Sequence, residues 1–453
     1  MRIRGKQGWG WCRIAVLLPI GLLVGLGVAA TGCASAQDSQ AQAKAAQAEP
    51  DKLAPYQLPP DKLVQAVVLG KVRPLVHFGS ELWEVAVLWL LLASGTASRL
   101  ERWIAARISR LWLRTFVFAA ITAALVFIAV DLPAGAIEHA YSLRYGISVE
   151  GWGAWLLDNA KTLGLTVLLE TALLMLAFYL MRWNWSRRGY WFWFAAATCP
   201  LMLLGTFLLP PLIEPLFFTF EPLASSHPAL VTKLEEVVAR TGTSIPPERM
   251  FLMKASEKSN GLNAYVTGLG ASKRIVVWDT TADRMPADEI LFTFAHESGH
   301  YVLNHIPKGL ALAAVGVFAL FWAVSELAEW LVRRGGEVWR VNSVGSLPGL
   351  VVLLLAFALV QIVTEPVESA ISRHFEHEAD VYGQEAIHGL APDPQKTAVA
   401  AFNHLGEAYL DDPDPNPFVV FWTYDHPSIQ SRAKFAAQYD PWIDGGHPQF
   451  FSR

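Results

Sequence analysis

The sequence predicts a mostly α, polytopic membrane protein that carries a small α+β metallopeptidase-like domain. Three observations lead there. The 453 residues are 53% hydrophobic and only 17% charged, too apolar for an ordinary soluble protein. Long apolar runs recur, each close to the roughly 20 residues a bilayer core requires. Between them lies the stretch Phe294-Ala295-His296-Glu297-Ser298-Gly299-His300, a His-Glu-x-x-His pattern in a helical context. Residues four apart share a helix face, so the imidazoles of His296 and His300 can grip one metal ion. Glu297 sits one step round the helix, where it can act on a water at that ion without being a ligand.

The bulk composition excludes other classes. A net charge of −4 leaves no basic surplus for nucleic acid. The three cysteines, Cys12, Cys33 and Cys199, are scattered and form neither a disulfide framework nor a thiolate metal site. Any metal is therefore held by histidine and carboxylate.

From the N-terminus, Arg2, Arg4, Lys6 and Arg13 precede the apolar run Ile14–Ala30 and the small residues Thr31-Gly32-Cys33. Residues 1–33 read as a signal peptide or an N-terminal anchor, with Cys33 in a context like a lipoprotein cleavage site. Residues 34–57 read as a disordered linker rich in Ala, Gln and Asp. Transmembrane helices follow over 58–209, with spans near 78–96, 115–132, 162–181 and 190–209, and a transmembrane hairpin over 308–366 adds spans near 309–332 and 347–366. Arg99, Arg102, Arg107, Arg110 and Arg114 fill one loop, Arg182, Arg187 and Arg188 another, and Arg333, Arg334 and Arg340 a third. The positive-inside rule calls that side cytoplasmic. Residues 210–307 and 367–453 then face the other way, which in a bacterium is the periplasmic side.

Residues 210–307 form the first part of the metallopeptidase domain. An amphipathic helix is expected over Ser225–Gly242 and strands at Arg249–Met253 and Arg274–Trp278. Asn263-Ala264-Tyr265-Val266-Thr267-Gly268-Leu269-Gly270 reads as a short edge or hairpin strand, limited by its glycines; as an edge it is a place for an extended peptide to dock by strand addition, and the alternative is an ordinary hairpin. Asp288 and Glu289 are explained by capping of the metal helix.

The second part of the domain, 367–453, begins with Ser372-Arg373-His374-Phe375-Glu376-His377-Glu378-Ala379-Asp380. Two spans separate it from His305, so the chain returns to the side it left. Glu376 and Asp380 share a helix face. Glu376 can supply the third ligand while Asp380 accepts a hydrogen bond from a ligand imidazole. His374, His377 and Glu378 point off that face. His77, His139, His227, His388, His404 and His447 show no ligand spacing and read as surface or packing residues.

These residues resemble the integral-membrane zinc CAAX prenyl protease family, type I, as a bacterial member. The resemblance covers about Leu58 to Ala436. It includes Leu58-Pro59-Pro60-Asp61-Lys62, Ile213-Glu214-Pro215-Leu216-Phe217, Asn263-Ala264-Tyr265, Lys273-Arg274-Ile275-Val276, His296 to His305, Ser372 to Asp380, and His426-Pro427 through Arg432. It implies a ring of about seven transmembrane helices around an internal chamber, capped by the zincin-like domain, with Ile14–Ala30 as the seventh span. It implies one Zn2+ per chain on His296, His300 and Glu376, with Glu297 as catalytic base. Asn263, Ala264 and Tyr265 would pair with substrate backbone, and His426 and Arg432 would hold substrate or the developing oxyanion. Ser298 departs from the apolar residue usual at its position.

The implied function is a membrane-embedded zinc metalloendopeptidase that acts on membrane-associated or prenylated, CAAX-like, proteins or peptides. Its partners are a peptide or protein substrate, with or without a lipid, and membrane lipid, but no nucleic acid. The sequence leaves two other readings. A zinc-bearing quality-control scaffold with little proteolysis is disfavoured by the retained Glu297. A transporter would use acids in or near the spans, such as Glu170, Glu326 and Glu329, but no inverted repeat is visible.

Overall fold

The computed structural model describes residues 55–183, 189–268, 270–443 and 447–451. The expected signal or anchor, its span Ile14–Ala30, nearly all of the linker, and Arg187 and Arg188 lie outside the described residues.

Among the described residues, six helices are long and apolar enough to cross a membrane. They are α1 (Pro60–Ala93), α3 (Leu111–Arg144), α4 (Trp152–Arg182), α5 (Tyr190–Phe207), α9 (His305–Trp339) and α10 (Leu347–Ala386). The amphipathic helix α2 (Thr96–Ala105) links α1 to α3. Each of the six expected spans overlaps one of these helices, with 78–96 running past Ala93 and 190–209 past Phe207, and most of the helices run well beyond the bilayer length. The clearest case is α10. Its apolar first half packs in the membrane bundle, from Leu350 to Ala358, while Ala379–Ala386 is buried in the polar domain. One helix thus serves both parts of the molecule.

The three expected strands join a short, unexpected β1 in one sheet, in the order β1-β2-β4-β3. They are β1 (Phe220–Pro222), β2 (Met250–Met253), β3 (Ala264–Thr267) and β4 (Arg274–Trp278). The apolar run in β4 explains its central place, since Ile275, Val276 and Val277 are all buried. β2 pairs with it in parallel and β3 antiparallel. The Asn263–Thr267 stretch therefore forms a hairpin partner of β4 and also the edge of the sheet.

The amphipathic helix α6 (Pro228–Thr241) starts at Pro228 and stops at Gly242, whose φ of 67° is readily adopted by glycine. The short α7 (Asp279–Arg284) leads to the metal helix α8 (Ala287–Val302). After α10 come α11 (Pro394–Tyr409), α12 (Pro417–Thr423) and α13 (Ile429–Gln438). Phe292 of α8 meets Phe402 of α11 edge-on, with ring centroids 5.3 Å apart. Such a pair contributes about 0.5–1.5 kcal/mol beyond its burial.

Two expectations are corrected here. The linker ends before Tyr56, which is 1% exposed and donates its hydroxyl to the carbonyl of Asp411. A tyrosine with its ring in a core and its hydroxyl satisfied belongs to a folded domain. Glu289 does more than cap α8: it is buried and meets Nδ1 of His404 at 2.5 Å. His404 is accordingly a hydrogen-bond partner of Glu289 rather than a plain surface residue.

The two ends of the bundle differ in content. At one end Ser98 of α2 donates to the carbonyl of Arg340, joining two of the arginine-rich connections. At the other, Ser148 and Ser259 form a bridge between the α3–α4 loop and the polar domain, and Lys258 pairs with Glu150 and Asp158.

Candidate metal centre

The site is built where α8 and α10 pack together. On α10, Glu376, Asp380 and Gly383 recur at helical spacing and face α8. On α8, the four-residue step brings His296 and His300 onto one face. Their Nε2 atoms are 3.2 Å apart. Glu376 closes the triangle, with Oε2 at 3.2 Å from His296 Nε2 and Oε1 at 3.4 Å from His300 Nε2. His296 is fully buried, Glu376 nearly so, and His300 is partly open.

This donor set fits a tetrahedral metal ion. Bonds of about 2.0–2.1 Å give ligand–ligand edges of about 3.3–3.4 Å, close to the separation of the two imidazole nitrogens and to the distance from each of them to the nearer oxygen of Glu376. Burial also holds His300 well below the ordinary imidazole value, so it stays neutral, the form that can ligate.

The surrounding residues fix the ligands. Nδ1 of His296 lies 2.8 Å from Oδ1 of Asp380. That partner sets the tautomer, leaving Nε2 free for a metal. Behind Asp380, Arg432 of α13 forks onto both carboxylate oxygens, Nε at 2.8 Å and Nη2 at 2.6 Å. Arg432 is 2% exposed. The guanidinium is held on Asp380, and its Nη2 also lies 3.8 Å from Oε2 of Glu376. His426 does reach the front, with Nε2 3.1 Å from Oε2 of Glu376 and Nδ1 2.9 Å from Asp425. Burial opposes its charge, but those two carboxylates outweigh it and raise its pKa to about 9.

A second chain of contacts escaped the sequence reading. His305 Nδ1 lies 3.2 Å from His300 Nδ1, and His305 Nε2 lies 3.0 Å from Glu378 Oε2. With Nε2 of His300 reserved for a metal, its Nδ1 carries the proton and donates to His305, which in turn donates to Glu378. Glu378 points off the ligand face, as its helical position predicts, and toward His305. The reason is the tight turn between α8 and α9. Asn304 adopts φ 58°, a left-handed conformation that asparagine tolerates, and this folds His305 back onto His300. The stacking of His305 on Phe375, with centroids 4.6 Å apart, holds the ring in place. An asparagine before a histidine so soon after the motif was the available signal.

Glu297 is buried beside the ligands. The edge strand β3 packs on α8. Within it, Ala264 and Tyr265 pair with Val277 and Val276 of β4, and Tyr265 donates its hydroxyl to Glu214. Asn263 accepts at its carbonyl from the amide of Trp278 and the hydroxyl of Thr281, while its Oδ1 is buried without a hydrogen-bond partner. A buried acceptor left in that condition beside an open strand edge is suited to a ligand amide.

Comparison with known proteins decides the family. Residues 224–440 match the model of peptidase family M48, and residues 40–219 match the model described as CAAX prenyl protease N-terminal, five membrane helices. An uncharacterized metalloprotease, YhfN, of Bacillus subtilis strain 168 is 31% identical over 377 residues, covering 83% of this chain and 86% of that protein. The chain belongs to peptidase family M48. It is a membrane-embedded metalloprotease. Another relative, CAAX prenyl protease 1 of Saccharomyces cerevisiae, is 26% identical over 320 residues, 67% of this chain and 68% of that protein. The crystal structure of S. mikatae Ste24p superposes with a TM-score of 0.69 at 18% identity, covering 91% of this chain and 96% of that one. This M48 chain therefore has the Ste24p fold, as the family resemblance implied.

Proposed function

We propose that this M48 protein is a zinc endopeptidase that cleaves membrane-associated or prenylated, CAAX-like, proteins. Its cleft would face the periplasmic side of a bacterial inner membrane. The observation that carries the reading is the convergence of His296, His300 and Glu376, whose donor atoms lie within 4.8 Å of one another, with Glu297 beside them. The donor set of two imidazoles and one carboxylate is the one zinc peptidases use, which favours zinc, one ion per chain. The prenylated class rests on the names of the yeast and other relatives. The orientation rests on the arginine-rich connections at the end of the bundle away from the metal centre.

His296, His300 and Glu376 would hold the ion. When bound, it supplies a Lewis acid that polarises the scissile carbonyl and makes an adjacent water acidic. Glu297 takes the proton of the attacking water and passes it to the departing amine. His426, carrying positive charge next to Glu376, donates to the oxygen that gains negative charge as the carbonyl is attacked. Asp380 and Arg432 act through His296, keeping its ring oriented. The substrate backbone lies along the free edge of β3 as an added strand, with Asn263 accepting from one of its amides. Water is limited by the burial of Glu297 and Glu376.

The test is cleavage of a quenched peptide by detergent-purified protein, with and without a farnesylated cysteine, alongside zinc content. Cleavage of the lipidated peptide alone supports a prenyl-directed enzyme. Cleavage of both supports a broader protease of membrane-associated chains. One zinc with cleavage of neither overturns the substrate class.

A further inference from the structure

A second set of metal-ligand side chains meets within the membrane-spanning helices. His77 and Glu81 stand one turn apart on α1, and Glu365 comes from α10. Nε2 of His77 lies 3.0 Å from one carboxylate oxygen of Glu365 and 3.1 Å from the other. It lies 3.7 Å from Oε1 of Glu81. One donor atom from each residue falls within 4.8 Å of the other two, as in the catalytic group. Among the described residues, these two groups bring three such donors together. His77 is 4% exposed and Glu81 is 2% exposed. Glu84, also buried, follows Glu81 on the same stripe of α1.

Ionisable side chains inside a membrane span are costly and ordinarily mark a function. A divalent cation placed among these three side chains would meet one imidazole nitrogen and a carboxylate oxygen from each glutamate, donors that compensate for the water such an ion gives up on burial. The set is of the same kind as the catalytic one, imidazole plus carboxylate, which suits zinc and related transition metals. Pro366 adjoins Glu365 and cannot donate to the carbonyl of Ile362, so that oxygen lacks its helical partner one turn from the cluster.

The position is related to the catalytic centre by α10 itself. Glu365 precedes Glu376 by eleven residues, which is about three turns and roughly 16 Å along the axis. The two carboxylates therefore share one helix face, with Glu365 on the membrane side of Glu376.

We propose that His77, Glu81 and Glu365 bind a second divalent cation, which ties α1 to α10 inside the membrane-spanning bundle. This site does not depend on the catalytic assignment. The test uses the full chain in detergent, stripped with chelator, re-equilibrated with Zn2+ and desalted, with zinc counted by mass spectrometry. Wild type is expected to retain two zinc ions per chain. Glu365→Gln and His77→Ala are each expected to retain one, and so is Glu376→Gln, which disables the other centre. Retention of a single ion by wild type that Glu376→Gln abolishes would overturn the proposal. So would two ions retained by Glu365→Gln and His77→Ala. Should a variant lose both ions through misfolding, the zinc-edge anomalous map of the wild-type protein decides: a peak between His77 and Glu365 supports the site, and its absence there overturns it. Loss of the ion from the His296 centre alone would count against the catalytic reading and leave this one standing.

Discussion

Gly383 presses on the backbone of His296. A methyl group at Gly383 would stand 3.0 Å from the His296 amide nitrogen and 3.1 Å from its Cα. One turn away the contact is reciprocated: a methyl at Gly299 would meet Tyr382 at 3.0 Å. These two glycines let α8 and α10 approach closely enough for Glu376 and Asp380 to reach the two ends of the His296 ring.

Gly383→Ala should therefore force the helices apart. The obstructing atoms are backbone, so relief requires movement of a whole helix. The expected cost is about 1–3 kcal/mol of stability, together with weaker zinc binding, read by thermal unfolding and metal titration. Unchanged values for both would show that the helices can slide without harm.

Glu297→Gln should keep its zinc and lose hydrolysis by about 10²–10⁴-fold, the usual contribution of a positioned base. Metal content and peptide cleavage on the same sample check this. Full activity in that variant would remove Glu297 from its assigned role.

The Asp380–Arg432 fork should show strong coupling. Asp380→Asn is expected to lower zinc affinity by about 10–100-fold, because it releases the His296 tautomer. Arg432→Ala leaves a buried carboxylate without its fork and should cost about 3–5 kcal/mol. Combining the two changes should recover part of that loss. Additive costs in a double-mutant cycle would contradict the geometry.

His305→Ala should weaken zinc binding by about 10–100-fold without touching a ligand. Glu378→Gln should act in the same direction and more weakly, since it sits one step further out. Titration of each purified variant with zinc separates them; identical affinities to wild type would mean that the His300–His305 contact carries no positioning role.

The metal-stripped protein should be less stable at alkaline pH. His426 is raised from an ordinary value near 6.5 to about 9, as Glu376 and Asp425 outweigh its burial. The folded state thus binds this proton more tightly than the unfolded chain. Its stabilising contribution is complete below about pH 6.5 and is lost as the pH rises through about 9. Thermal unfolding across that window should show the decline in wild type, and His426→Ala should flatten it.

Local pattern and chain-length bookkeeping were enough for much of this protein. Apolar runs announced the six spans, because a span must satisfy its backbone within one helix and so leaves a long uninterrupted signal. The four-residue step from His296 to His300 and from Glu376 to Asp380 announced which residues share a face, because helical periodicity is a property of sequence alone. The even number of crossings between the two motifs allowed them to meet. What the tertiary structure decided depends on the distance and angle between helices, which no local pattern encodes. It set Arg432 onto Asp380, and folded His305 back through the left-handed Asn304 onto His300. It paired Glu289 with His404, and brought His77 to Glu365 across 288 residues of sequence. Each is a contact between elements whose approach is set by packing, here by small residues such as Gly383 that let two backbones meet.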